Sequence, residues 1–266
     1  NVTFTATPTN GGATPAYQWK VNGTNVGTGA TYSSTTLTTG QIVTCVLTSS
    51  EGCATGNPAT SNAITMTVTA NATPSVSIAA SATTICAGTS VTFTATPTNG
   101  GATPVYQWKL NGANVGSNSA TYTNAALVQG DIVTCSLTSD LTCTVENPVT
   151  SNSIVMTVNP NKPVSVSISA SATTICTGTT VNFTATPANG GTTPSYQWYV
   201  GATPVGTGST YSSSTLANGN NVTCVLTSNE TCATGSPATS NAISMTVNSS
   251  LPVSVSIAAN PGNNIC

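Results

Sequence analysis

Apolar and hydroxylated residues alternate along most of this chain, a period of two that puts successive side chains on opposite faces of a strand. In its middle third the alternation predicts strands at about 75–80, 90–96, 105–110, 113–116, 120–123, 131–138 and 153–158. Val91, Phe93 and Ala95 share one face of their strand, and Val133, Cys135 and Leu137 share one face of theirs, with mostly Thr and Ser between. Those two faces are expected to meet around Trp108. No segment carries a helical period. Asn99-Gly100-Gly101 punctuates the approach to the tryptophan strand, and Asn111-Gly112 is a two-residue hairpin signal, replaced later in the chain by Gly201-Ala202-Thr203-Pro204. About seven short strands per ninety residues, joined by Gly, Asn and Pro turns, predict an all-β fold of antiparallel β-sandwiches.

The pattern is written three times. Trp19, Trp108 and Trp198 each sit in a Tyr-Gln-Trp phrase, and Cys86, Cys176 and Cys266 each close an Ile-Cys at intervals of 90. A period this long is a small domain and not a single hairpin. The boundaries read as repeat 1 over 1–70, lacking its first strand, repeat 2 over 71–160, repeat 3 over 161–249, and the first strand of a following repeat over 250–266. Asn1-Val2-Thr3-Phe4 matches Ser90-Val91-Thr92-Phe93 inside repeat 2, and 252–266 restates the openings at 163–176 and 74–86. Two expectations follow. Either the segment is a window on a longer string of like repeats, or Val253, Val255 and Ile257 of one subunit serve as a donor strand to the next, a head-to-tail joint.

Charge narrows the functional classes. Three lysines, five acidic residues and no histidine or arginine in 266 residues leave a net charge of −2, far below ordinary usage. No basic stripe is available for nucleic acid or anionic lipid, and no acidic cluster for calcium. The most apolar stretches alternate with Thr and are far short of a membrane span, so no membrane insertion is expected of this segment. Without histidine a Ser-His-Asp or Cys-His arrangement cannot be built, and no enzymatic activity or cofactor is expected. Asp131 is the most tempting acid, but repeats 1 and 3 place Gln41 and Asn220 there, which predicts a turn-capping role common to all three. The Gly-Gly pairs at 11–12, 100–101 and 190–191 read as turns, with no helix following to cradle a phosphate.

Trp19, Trp108 and Trp198, together with Phe4, Phe93 and Phe183, are the expected core. The rival role for the indoles is an exposed platform for stacking sugars. Nine cysteines in so Thr-rich a chain point to an oxidising space outside the cytosol. Each repeat has three cysteine positions: a turn (Cys86, Cys176, Cys266), an inward strand position (Cys45, Cys135, Cys224) and a loop (Cys53, Cys143, Cys232). Local pairing of Cys45 with Cys53, Cys135 with Cys143 and Cys224 with Cys232 is the preferred expectation. Two others stay open: a turn cysteine joined to the loop cysteine of the following repeat, as Cys86 to Cys232, and a turn-to-strand link, for which Cys266 would reach another subunit. The spacings suit neither zinc nor a redox pair. Asn22-Gly23-Thr24 and Asn229-Glu230-Thr231 are sequons, and some glycan on surface Thr or Ser is expected.

The phrase Ile-Cys-Ala-Gly-Thr-Ser-Val-Thr-Phe-Thr-Ala-Thr-Pro-Thr-Asn-Gly-Gly at 85–101, followed by Tyr-Gln-Trp-Lys-Leu-Asn-Gly and by Gly-Asp-Ile-Val-Thr-Cys at 130–135, resembles the immunoglobulin-like, PKD-type repeats of very large bacterial cell-surface proteins. The resemblance covers essentially the whole chain. It implies proteins of gliding, type IX-secreting bacteria that serve as surface fibres or as adhesin stalks, and similar repeats space the catalytic domains of secreted enzymes. Against antibody domains the chain departs at Phe4, Phe93 and Phe183, which occupy the strand that would carry the partner of the Cys135-type cysteine; this puts the usual cross-sheet disulfide in question. The expected role is therefore a structural segment of an extracellular filament or surface layer that associates with itself head to tail. The alternatives are the stalk of an adhesin and an accessory carbohydrate-binding or spacer module.

Overall fold

The computed structural model describes residues 1–258, and every regular element among them is a strand. The Val253, Val255 and Ile257 stretch lies among these residues, whereas Cys266 lies outside them. Two compact units are present, one of residues 1–77, 96–106 and 136–151, the other of 78–95, 107–135 and 152 onward.

In the second unit, repeat 3 shows the architecture whole. One antiparallel sheet orders Ser165–Ala170, Val181–Ala188 and Thr210–Ser213. The facing sheet orders Thr203–Thr207, Ser195–Val200 and Asn221–Thr227, with the short strands Ala238–Thr239 and Ile243–Ser244 on its far edge. A parallel pair, Thr174–Cys176 with Thr246–Asn248, closes one side. This strand order is that of an immunoglobulin-like sandwich. Alternation explains which faces meet: Val181, Phe183 and Ala185 point inward from one sheet, and Trp198, Val222, Cys224 and Leu226 from the other, while Asn182 and Thr184 are exposed and Thr223 and Val225 lie half-buried on the opposite face. Phe183, Trp198 and Tyr211 form an aromatic trio with centroids 5.9–6.1 Å apart. The same trio recurs in that unit as Phe93, Trp108 and Tyr122.

Each buried indole keeps its N–H satisfied. Trp198 Nε1 donates to Gly208 O, Trp108 to Ser119 O and Trp19 to Gly29 O, each at 2.9 Å. Asn22-Gly23 and Asn111-Gly112 both adopt positive φ at their two residues, the conformation a two-residue hairpin with right-handed twist requires.

Repeat 1, in the first unit, has the same facing sheet: Thr24–Thr28, Ala16–Val21 and Ile42–Thr48, edged by Ala59–Thr60 and Ile64–Thr65. Its other sheet has two strands, Val2–Thr5 and Thr31–Ser34. Phe4, Trp19, Val43 and Cys45 form its core, and Val2, Leu37 and Met66 pack against them half-buried.

Candidate functional site

The most distinctive chemistry in the molecule is a disulfide between successive repeats, Cys86 to Cys232, separated by 146 residues with Cα atoms 5.4 Å apart. Its position is built by backbone pairing on both sides. Thr84–Cys86 runs parallel to Thr157–Asn159, setting Cys86 opposite Asn159, and Ala87 N donates to Asn159 O at 2.9 Å. Three residues on, Lys162–Pro163 pairs parallel with Ala233–Thr234; Lys162 N donates to Cys232 O and Val164 N to Thr234 O, both at 2.8 Å. The connecting segment is thus a short strand laid along the loop of the repeat it enters. Asn189 Nδ2 donates to Pro163 O at 2.6 Å, and Lys162 Nζ pairs with Glu230 Oε1 at 2.5 Å, a half-buried surface contact worth about 1 kcal/mol. In the first unit the same scheme recurs, with Ala72 N donating to Cys143 O at 2.7 Å, Val145 N to Ala72 O at 3.0 Å and Asn99 Nδ2 to Thr73 O at 2.9 Å.

This geometry corrects the preferred cysteine map. Cys224 and Cys232 do not pair, because Cys232 is taken by Cys86; Cys45 and Cys53, and Cys135 and Cys143, are likewise not bonded to each other. The reason is burial. Cys45, Cys135 and Cys224 point into the cores beside the indoles, whereas the loop cysteines lie at the end of the sandwich. Burial pushes the Cys135 thiol up to about 11, against a smaller opposing hydrogen bond from the Gln107 backbone, and raises Cys45 and Cys224 for the same reason. These are core thiols, not nucleophiles. Cys176 and Cys53, the counterparts of Cys86 and Cys232 in repeats 3 and 1, are exposed thiols.

The other candidates take structural places. Trp19, Trp108 and Trp198 are buried, which removes the sugar-stacking platform, and Phe4, Phe93 and Phe183 pack against them. Asp131 caps a turn by accepting from Val128 N at 2.8 Å, as Gln41 does from Thr38 N and Asn220 from Ala217 N. It also accepts from Asn111 Nδ2. The second glycine of each Gly-Gly has φ near +80°, and a Cβ on Gly101 would lie 1.4 Å from Asp140 Oδ1, so the pair makes room for the neighbouring loop. Val253, Val255 and Ile257 belong to no strand and are 99%, 91% and 96% exposed. Among the described residues no group of three or more His, Cys, Asp or Glu is placed to hold a metal, and no helix is long and apolar enough to cross a membrane.

One feature escaped the pattern of alternation. Asn241 Oδ1 accepts from Ile168 N at 2.8 Å and its Nδ2 donates to Ile168 O, a side-chain clamp on the first strand of repeat 3; Asn152 does the same to Ile78. The recurring Thr-Ser-Asn at 60–62, 150–152 and 239–241 was its signal.

No protein-family model matches the chain, and no curated protein matches it. Among solved structures it is similar to the three N-terminal domains of the highly immunogenic outer capsid protein of bacteriophage RB49, at 16% identity over 65% of this chain and 59% of that one, TM-score 0.30. It is similar to murine CEACAM1b at 12% identity over 65% and 100%, TM-score 0.30, and to fibronectin(III)-like modules of Clostridium thermocellum CbhA at 13% over 65% and 94%, TM-score 0.31. At such scores the strand order itself, and not the likeness, identifies these repeats as tandem immunoglobulin-like β-sandwiches.

Proposed function

We propose that the chain is a load-bearing segment of an extracellular filament or surface layer, with copies associating head to tail and immunoglobulin-like repeats supplying length and stiffness. The observation that carries this reading is the Cys86–Cys232 bond, which fastens one repeat to the next across a two-residue connection, Pro160-Asn161, flanked by backbone pairing on both sides. A disulfide placed there adds little to either core and resists separation of the repeats under tension. It also fits an oxidising compartment outside the cell. Wet, uncharged surfaces rich in Thr, Ser and Asn suit a passive fibre better than a steered binding partner.

Electron microscopy of the native material is the test. Ordered filaments with a periodicity of one repeat or three support the reading; isolated flexible strings point instead to the stalk of an adhesin, and retention on a glycan column to an accessory sugar-binding module.

A further inference from the structure

The first repeat carries a groove of 610 Å³ lined by Phe4, Ala6, Trp19, Val43, Leu47 and Ile64 among others, and a second of 350 Å³ that runs past Asn10, Cys53 and Thr55. In repeat 3 the corresponding surfaces are covered. Ser165–Ala170 lies over the first, with Val166 and Ile168 buried, and the connecting segment at Lys162–Pro163 lies along the second. The residues that make this cover are Pro163-Val164-Ser165-Val166-Ser167-Ile168, and the same six stand at 252–257, where their apolar side chains are almost fully exposed.

From this we propose, resting on the head-to-tail reading above, that residues 251–258 of one copy dock as a strand in the groove of a second copy's repeat 1, and that Cys176 of the first is then disulfide-bonded to Cys53 of the second. Each group that holds the strand in repeat 3 has an identical counterpart in repeat 1: Asn241 corresponds to Asn62, Asn189 to Asn10, Cys232 to Cys53 and Thr234 to Thr55. Transferred through that correspondence, the observed register sets Ser254 opposite Thr9, Val255 opposite Pro8, Ser256 opposite Thr7 and Ile257 opposite Ala6. Asn62 clamps Ile257 and Asn10 donates to Pro252 O.

The cysteine placement follows from chain length. Cys176 is opposite Asn248, with Thr177 N donating to Asn248 O, as Cys86 is opposite Asn159. From Asn159 to Lys162 and from Asn248 to Leu251 the chain advances by the same three residues. Docking Leu251 beside Cys53 therefore brings Cys176 to it as Cys86 is brought to Cys232. The bond forms by exchange with a small-molecule disulfide: the Cys176 thiolate displaces one thiolate from the donor, the Cys53 thiolate displaces the second, and the donor leaves as two thiols, having accepted the electron pair. The Lys162–Glu230 ion pair has no equivalent, since Leu251 stands for the lysine opposite Glu51.

The 266-residue protein is incubated with oxidised glutathione and its cysteine-containing peptides are mapped without reduction. We expect one peptide joining Cys176 to Cys53 and a ladder of multimers on non-reducing gels that collapses with dithiothreitol. Cys176→Ser abolishes the ladder while light scattering still reports association; Val253→Asp combined with Val255→Asp and Ile257→Asp abolishes both, and because these side chains pack against nothing, circular dichroism stays unchanged. A monomer under all conditions, or Cys53 recovered bonded to any residue other than Cys176, overturns the joint. Native filaments lacking the Cys53–Cys176 peptide would remove this joint and leave the fibre reading standing; the peptide found in material that is not filamentous would do the reverse.

Discussion

Repeats 1 and 3 share the sequence Val-Thr-Cys-Val-Leu-Thr at 43–48 and 222–227, yet their interiors differ. In repeat 3, Val181, Leu226 and Met245 are fully buried, whereas their counterparts Val2, Leu47 and Met66 are half-exposed. The residues being alike, the cause is the neighbour: Ser165–Ala170 lies against Val181–Ala188 in repeat 3, and in repeat 1 a groove lies there. A single six-residue strand therefore decides whether this sandwich is sealed.

The largest test of that contrast is the indole. Trp198→Ala should cost about 3–5 kcal/mol, read by urea denaturation, while Trp19→Ala in the dispersed protein should cost clearly less, because its surroundings are already partly wet. Equal costs would break the comparison. Next is the clamp: Cys86→Ser should lose about 2–4 kcal/mol relative to the oxidised protein, and Cys53→Ser in the dispersed protein should lose nothing measurable.

A smaller effect is expected at the side-chain clamps. Asn241→Ala leaves the Ile168 backbone groups without their partners and should cost about 1–3 kcal/mol, whereas Asn62→Ala should be silent until copies associate. Hydrogen exchange at Ile168 and its neighbours would report the first directly.

The smallest effect is a pH dependence. Hydrogen bonds from Thr103 Oγ1 and N hold the exposed Asp140 carboxyl below its ordinary range. A carboxyl depressed in the folded state contributes stability above its unfolded value and loses it as pH falls through the folded one. Asp140→Asn should therefore flatten the acid limb of the stability profile slightly. In repeat 3 Asn229 already holds Thr193 N in this way, and that contact should be indifferent to pH.

Much of this was legible in the residues. Period-two alternation located the long strands within a residue or two, since each has one buried face, and Asn-Gly marked its hairpins. The turn-capping role of Asp131 followed from its replacement by Gln41 and Asn220. The parallel pairing of Thr84–Cys86 with Thr157–Asn159 was not legible, because three residues are too few to show a period and the pairing is set by tertiary placement. The preferred local cysteine pairing failed for a related reason, and the alternative left open, Cys86 to Cys232, is the bond present. Cys224 and Cys232 are near in sequence, but one faces the core and the other the next repeat's connection, and spacing alone does not carry that direction.

In the load-bearing role proposed above, the Cys86–Cys232 bond keeps the intervening chain out of the load path. Pulling the protein by its two ends to full extension, with and without reductant, tests it most directly. The sequence separation of 146 between Cys86 and Cys232 corresponds to about 500 Å at full extension, so the oxidised protein should stop short of the reduced one by about that length. Equal extension under both conditions would contradict the account.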